Sequence, residues 1–373
     1  MSAAAPAGLR ILHTESSLGW GGQEIRVLTE ARGVAARGHE VVLAAPSASR
    51  IHSEAPAFGV KAIALPIARK GPTGLIALRR FLAREPFDVI NSHSSTDTWL
   101  AALACATLPR APALVRTRHI SAPAPRNRAT RWLYTRAARR IVTTGERLRA
   151  QVIEETGARA ANVVSIPTGI DLERYRPGER AAARARLGLP PDRPVVGIVA
   201  TLRSWKGHRY LLGALASLQA KDAMLVVVGD GPQREALETL AAGLALGERV
   251  RFAGNQADVV PWMQALDVFC LPSYANEGVP QALMQAMACG LAVVSTPIGS
   301  IAEIVSDGTT GVLVPPSEVE ALRAALDALL VDPVRRTALA RNAREAALER
   351  FGEARMVERM IDVFRKAAEA RDG

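Results

Sequence analysis

The 373-residue sequence is poor in aromatic residues, 4% of the total, and has three cysteines, Cys105, Cys270 and Cys289, no two of them forming a CxxC pair. Scarce aromatics leave few of the stacking platforms on which single-strand nucleic-acid binders rely, so no nucleic-acid partner is expected. The isolated cysteines lie in apolar surroundings without zinc-ligand spacing and are expected to be reduced core residues of a cytoplasmic protein. No run of about 18 apolar residues occurs, and MSAAAPAGLRILHTESS lacks a basic stretch followed by a long apolar one. The chain is therefore expected to be neither secreted nor membrane-spanning. No short-period repeat is present, which excludes a solenoid.

What is present is length, apolar content and positive charge. With 49% hydrophobic residues the chain can bury a large core, and its length exceeds what one core usually fills, so two domains are expected. The formal charge of +11 implies an anionic partner such as a lipid surface or a charged sugar polymer.

Short β-rich apolar runs alternate with Ala/Leu/Arg helical patterns from end to end, which predicts parallel sheets built from βαβ units. The strands expected in the first half are LRILHT, EVVLAAP, VKAIALP, DVINSH, PALVRTRH, RRIVTTG and NVVSIPTG. Those in the second are PVVGIVAT, AMLVVVGD, RVRFAG, DVFCLPS, LAVVST and GVLVPP. Between them, RYRPGERAAARARLGLPPDRP breaks the rhythm, and the expected domains are 1–172 and 173–350, with an amphipathic C-terminal helix, 351–373, packing back toward the first. In such sheets ligands sit at the carboxyl ends of strands, so a cleft between domains is expected.

Several stretches fall at those ends. In NEGVPQALMQAMACG, Asn276, Glu277 and Gly278 are loop formers and Pro280 suits the first position of a helix closed by Gly290. The amides of Val279, Gln281 and Ala282 would then form an anion site, with Gln285 further along the helix. Glu277 is either a helix cap or a ligand contact, and Gln285 either a solvated side chain or a second contact. The loop GWGGQE places Gly21 and Gly22 after the first strand, where they serve a tight turn or the close approach of a ligand. It lacks GxGxxG spacing. His93 and His119 end two strands, and one of them is expected to meet substrate. Lys206, with Arg203 three residues before it, follows the first strand of the second domain, where a flexible cation can neutralise a diphosphate. GDGP, with Gly229 and Gly231, is a strand-to-helix turn of structural or ligand-binding use. Eight arginines fall between Arg116 and Arg140, among them Arg118, Arg126, Arg128, Arg131 and Arg136, together with Trp132. That composition suits an anionic lipid surface, or else an ordinary solvated helix.

Together these stretches, with IPTGID, GSIAEIV and GTTGVLVPP, resemble the family 4 glycosyltransferases over nearly the whole chain. The resemblance implies the GT-B fold, two Rossmann-like doubly wound parallel-sheet domains facing across a cleft. It also implies metal-independent, retaining transfer of a sugar from a nucleotide-diphosphate sugar to an acceptor hydroxyl. By the same resemblance the glycine loop contacts donor phosphate or sugar, His119 faces the donor sugar, Lys206 holds the diphosphate and Glu277 contacts sugar hydroxyls. Two positions depart from the family pattern. Thr201 stands five residues before the lysine, where arginine is frequent, and Gln285 stands where a second glutamate normally holds the ribose diol. The basic first domain adds the expectation of a lipid-linked or lipopolysaccharide-type acceptor at the inner face of the membrane, with a nucleotide-sugar 2-epimerase or a silent glycan-binding protein as the alternatives.

Overall fold

Strands buried on both faces need near-continuous apolar, β-branched runs, and each of the thirteen runs named above forms a strand. The computed structural model describes residues 8–120, 122–275 and 277–372. Asn276 lies outside the described residues. The first seven strands are β1 (Arg10–Thr14), β2 (Glu40–Ala45), β3 (Lys61–Ala64), β4 (Val89–Ser92), β5 (Ala113–Arg118), β6 (Ala138–Thr143) and β7 (Val163–Ser165). They form one parallel sheet in the order β3-β2-β1-β4-β5-β6-β7. The others are β8 (Val195–Val199), β9 (Met224–Val228), β10 (Val250–Gly254), β11 (Val268–Leu271), β12 (Ala292–Ser295) and β13 (Val312–Leu313), in the order β10-β9-β8-β11-β12-β13. Strand order reverses between β1 and β4 and again between β8 and β11. A doubly wound sheet opens a ligand crevice at such a switch point, outside the carboxyl ends of its strands.

The chain folds as two units, one ending at Gly169 and rejoined at Glu353, the other Ile170–Gly352. The Pro- and charge-rich passage that breaks the sequence rhythm belongs to the second unit, where it supplies the helix Arg180–Leu187. The C-terminal helix was expected over 351–373, packing back toward the first domain. The helix Pro333–Arg350 stays with the second unit, the chain breaks at Phe351 and Gly352, and the helix Glu353–Asp372 belongs to the first. There Met356, Val357, Met360 and Phe364 share a buried cluster with Val27, Leu28, Ala31 and Val34 of the helix Gly22–Ala35. Each such side chain contributes about 1.5–3 kcal/mol when fully buried, and this apolar face decides which unit the helix joins.

All three cysteines are free, and burial pushes the Cys105 and Cys289 thiols up to about 12. Among the described residues no helix is long and apolar enough to cross a membrane.

Candidate functional site

In the second unit the candidate residues gather beyond the carboxyl ends of β8 and β11. After β8 the chain enters a short turn, Ser204–Lys206; after β11 it runs through Ser273 to Glu277. A hydrogen bond from Tyr274 N to Trp205 O, 2.8 Å, ties the two loops together. Lys206 Nζ lies 2.6 Å from Glu277 Oε1, and Ser273 Oγ donates to the same oxygen at 2.6 Å. Glu277 is 4% exposed. A carboxylate so far from water requires a cation and donors around it, and these two supply them. Lys206 and Glu277, which the sequence assigns separate tasks, are therefore partners.

The N-cap of the helix Gln281–Ala288 makes no side-chain hydrogen bond to it, and the Glu277 carboxylate is engaged by Lys206 and Ser273. Pro280 is its N-cap, with extended backbone at φ −69° and ψ 117°, rather than its first helical residue. It accepts from Leu283 N at 3.2 Å and Met284 N at 3.4 Å. Gly278 and Val279 lead into this end, and the amides of Val279, Gln281 and Ala282 precede the first intrahelical bonds, the arrangement that favours an anion. Leu283, Met284, Ala286 and Met287 are buried, whereas Gln281, Ala282 and Gln285 are half-buried and share the helix's open face.

The GDGP turn has a packing reason for its glycines. Gly229 adopts φ 134°, and a Cβ there would stand 2.0 Å from Ala200 O. A Cβ at Gly231 would come within 2.8 Å of Leu202 O. The two turns approach this closely because Ala200 N donates to Val228 O and Leu202 N to Asp230 O, both at 3.0 Å. GDGP thereby fixes the loop that carries Arg203 and Lys206. Arg203 is exposed with its guanidinium 5.7 Å from the Trp205 ring centroid, and Thr201 beside it is exposed.

In the first unit, alternation along the strands sorts the polar residues to two faces. His13, Asn91, His93, Thr117 and His119 point to the face covered by the helices Gly22–Ala35 and Glu353–Asp372; Ser92, Arg116 and Arg118 point to the other. On the first face Arg26 is wholly buried and donates to Ile166 O and Thr168 Oγ1, docking the IPTGID segment. Its neighbour Glu30 accepts from Asn91 Nδ2, whose amide oxygen accepts from Thr117 Oγ1. Burial pushes the Glu30 carboxyl up to about 7 against the pull of Arg26. Glu15, just past β1, accepts from Ser94 Oγ, Ser17 N and Gln23 Nε2. Burial and the nearby Asp97 carboxylate raise its carboxyl to about 7.

Beyond the carboxyl ends of β4 and β5, where residues of both faces meet, a cavity of about 240 Å³ is lined by Gln23, Lys70, His93, Trp99, Arg116, Arg118, His119 and Tyr134 among others. Arg116 and Arg118 are 7% and 6% exposed, Arg116 donating to Ser92 O and Ser94 O and Arg118 to Ala122 O. Their burial removes both from a membrane-facing surface, contrary to the sequence expectation, and makes them cavity wall. Trp132 is half-buried and stacks on Trp99, centroids 6.3 Å apart. Arg126, Arg128, Arg131 and Arg136 are exposed. Gly21 and Gly22 open the helix Gly22–Ala35, Gly21 in an extended conformation that any residue adopts, and a Cβ there meets only Glu24 Oε2 at 3.8 Å. The turn does not demand glycine, so the open space is what this position offers. Sequence reasoning missed His13, Glu15, Gln23 as a side chain, Lys70 and Asp97; for His13 the signal was a polar residue inside an apolar strand, and the others, in loops and helices, carried none. Among the described residues no group of three or more His, Cys, Asp and Glu is placed to hold a metal ion.

Residues 20–174 match the model of "Glycosyltransferase Family 4" and residues 179–346 that of "Glycosyl transferases group 1". The chain belongs to the family 4 glycosyltransferases. Similar family members include D-inositol 3-phosphate glycosyltransferases of Saccharomonospora viridis, 34% identical over 62% of this chain and 57% of that protein, and of Nocardia farcinica, 37% identical over 56% and 49%. The chain thus spans about half the length of these curated relatives. Among solved structures, a glycosyltransferase from Rickettsia africae superposes with a TM-score of 0.88 at 19% identity, covering 96% of this chain and 98% of that one. HepE from Anabaena, in complex with UDP and glucose, gives 0.83 at 22% identity over 95% and 98%. The fold is GT-B, with a seven-stranded and a six-stranded parallel sheet.

Proposed function

We propose that this family 4 chain moves a sugar, with retention at the anomeric carbon, from a nucleotide-diphosphate sugar to a hydroxyl of a phosphorylated polyol. The observation that carries the reading is the Lys206–Glu277 pair beside the first turn of the helix Gln281–Ala288. As the glycosidic bond breaks, the diphosphate gains negative charge, which Lys206 and the amides of Val279, Gln281 and Ala282 stabilise without reorganising. Glu277 orients sugar hydroxyls and offsets positive charge growing on the ring. Gln285 reaches the ribose from the open helix face. Gly21 and Gly22 make room for the donor, and His119 meets the sugar. No metal is given a part in this scheme. The Anabaena protein, solved in complex with UDP and glucose, supports the donor class.

The acceptor rests on two supports. Lys70, Arg116 and Arg118 line the first-unit cavity beside Trp99 and Tyr134, a combination suited to a phosphate on an apolar-faced ring. The relatives from Saccharomonospora viridis and Nocardia farcinica are named for inositol 3-phosphate. Both favour a small phosphorylated cyclitol over the lipid-linked or lipopolysaccharide-type glycan expected from charge alone. Because those relatives are named as transferases, the 2-epimerase reading is not kept. The exposed Arg126, Arg128, Arg131 and Arg136 support peripheral contact with an anionic membrane surface.

The test is a panel of nucleotide sugars crossed with inositol phosphates, free inositol and a lipid-linked glycan, scored by release of nucleoside diphosphate. Release that depends on a phosphorylated polyol is expected, with Lys70→Ala raising the acceptor KM and leaving the donor KM unchanged. Release without any acceptor, or only with the lipid-linked glycan, overturns the reading.

A further inference from the structure

His13, His93 and His119 form a hydrogen-bonded column across three adjacent strands. The register pairs His13 with Asn91 and Asn91 with Val115, so His93 stands two residues further along than His13, and His119 two further again. Even steps keep all three rings on one face. His13 Nδ1 is 2.9 Å from His93 Nε2, and His93 Nδ1 is 3.0 Å from His119 Nε2. The ring centroids are 5.2 and 5.3 Å apart, the first pair of rings 7° from parallel and the second tilted by 31°. At the sealed end, His13 Nε2 has no hydrogen-bond partner among the described residues, and Phe364 meets the ring edge-on at 6.1 Å. The other end, His119, lines the cavity.

Three neutral imidazoles carry three ring hydrogens, and the two links use two of them. The third must sit at one end, leaving a bare lone pair at the other. Burial favours the neutral state throughout, holding His13 down to about 3 and the other two well below the ordinary histidine range. A hydrogen on His13 Nε2 would be a buried donor without an acceptor, and orphaned N–H groups are the rarer kind of unmet polar group. That leaves His119 Nδ1.

We infer that His13 and His93 are positioning residues, which hold His119 with its hydrogen on Nδ1 so that it donates to an oxygen of its ligand. The inference rests on the reading above that His119 meets substrate. Its consequence is that His119 supplies a hydrogen bond and does not take the proton of the acceptor hydroxyl.

Long-range proton–nitrogen spectra of the full chain labelled with ¹⁵N-histidine, without ligand, test it directly. The expected result is hydrogen on Nδ1 and a bare Nε2 for all three residues, the reverse of the form free histidine prefers. Hydrogen on Nε2 of His119 overturns the inference. His13→Phe removes the donor to His93, so the Nδ1–H form of His119 should be lost and kcat should fall about tenfold, the loss of one good hydrogen bond. His13→Asn places an amide nitrogen near the position of Nδ1 and should restore both. Equal loss of kcat in the two variants, with the His119 spectrum unchanged, means a purely structural role and also overturns it. The spectra need no substrate, so they decide the column even if the wild-type chain transfers sugar to no acceptor tried.

Discussion

Lys206 and Glu277 stand 71 residues apart in the sequence and 2.6 Å apart in the structure, the lysine side chain 19% and the glutamate side chain 5% exposed. The unequal exposure makes the two truncations unequal. Lys206→Ala removes the cation from a buried carboxylate and should cost about 3 kcal/mol, the lower end of the range for breaking a buried pair. Glu277→Ala leaves an ammonium that reaches water and should cost less. Both should lower kcat/KM by on the order of 100-fold, because each removes a transition-state contact. Urea unfolding with steady-state kinetics checks this, and a Lys206→Ala chain as stable as wild type would show that the pair does not hold in solution.

Gln285 offers one acceptor oxygen and an N–H₂ group, where a carboxylate accepts twice. Gln285→Glu should keep kcat and shift the KM for the nucleotide sugar, and Gln285→Ala should raise that KM by about tenfold, the difference one hydrogen bond makes. A large fall in kcat for Gln285→Glu at constant KM would place the amide in the chemical step instead.

Gly299 has φ +60°, and a Cβ there would stand 2.0 Å from Glu277 O. Gly299→Ala therefore has to displace the Glu277 backbone and adopt a left-handed conformation, at a cost of about 1–3 kcal/mol. It should lower kcat/KM along with stability although its own side chain touches no ligand. A variant with normal turnover would show that the position of Glu277 matters little.

The buried titratable groups of the first unit oppose one another in pH dependence. The Glu30 carboxyl, raised from 4.5 to about 7, keeps its proton in the folded state where the unfolded chain has lost it. Its contribution to stability therefore falls as pH rises through that window, by at most about 3 kcal/mol. His13, lowered from 6.5 to about 3, stays neutral where the unfolded chain binds a proton, so its contribution falls as pH drops below 6.5. His93 and His119 shift in the same direction as His13. Glu15, raised to about 7, and Asp97, raised as well, act in the same direction as Glu30, so the test is the difference between proteins. Between pH 7 and pH 5 the melting temperature of Glu30→Gln should fall relative to that of the wild type, because one opposing contribution is gone. Parallel profiles for the two proteins would rule this out.

Arg128, Arg131 and Arg136 are exposed, and each basic side chain at an anionic surface contributes about 1 kcal/mol. Replacing all three with glutamate should abolish sedimentation with phosphatidylserine vesicles. Wild-type binding should weaken steeply with salt, and equal binding to neutral vesicles would remove the membrane from the proposal.

Much of the architecture is legible in the amino-acid order. AMLVVVGD and DVFCLPS read as strands because a parallel strand buried on both faces must be apolar at every position, and Gly, Pro and charge mark where each ends. The motifs fall at the carboxyl ends of those strands, so Lys206, Glu277, His93 and His119 were also legible as candidates. Whether a candidate touches another was not. Lys206 and Glu277 come together because β8 and β11 are neighbours in a sheet whose order departs from chain order.

Tertiary structure alone decided the rest. In LRILHT, His13 looks like a stray polar residue in a core strand, and it joins His93 and His119 only through the β1-β4-β5 order and a register that advances two residues at each step. Arg116 and Arg118 belong by composition to a basic surface, yet the strand buries them and turns them to the cavity, while Arg126, Arg128 and Arg131 beyond it stay in solvent. The amphipathic C-terminal pattern pointed back toward the first domain but not to the helix Gly22–Ala35 as the element its apolar face meets. Periodicity along a chain reports which face of an element is apolar; which element meets that face, and at what register, depends on packing between segments more than a hundred residues apart.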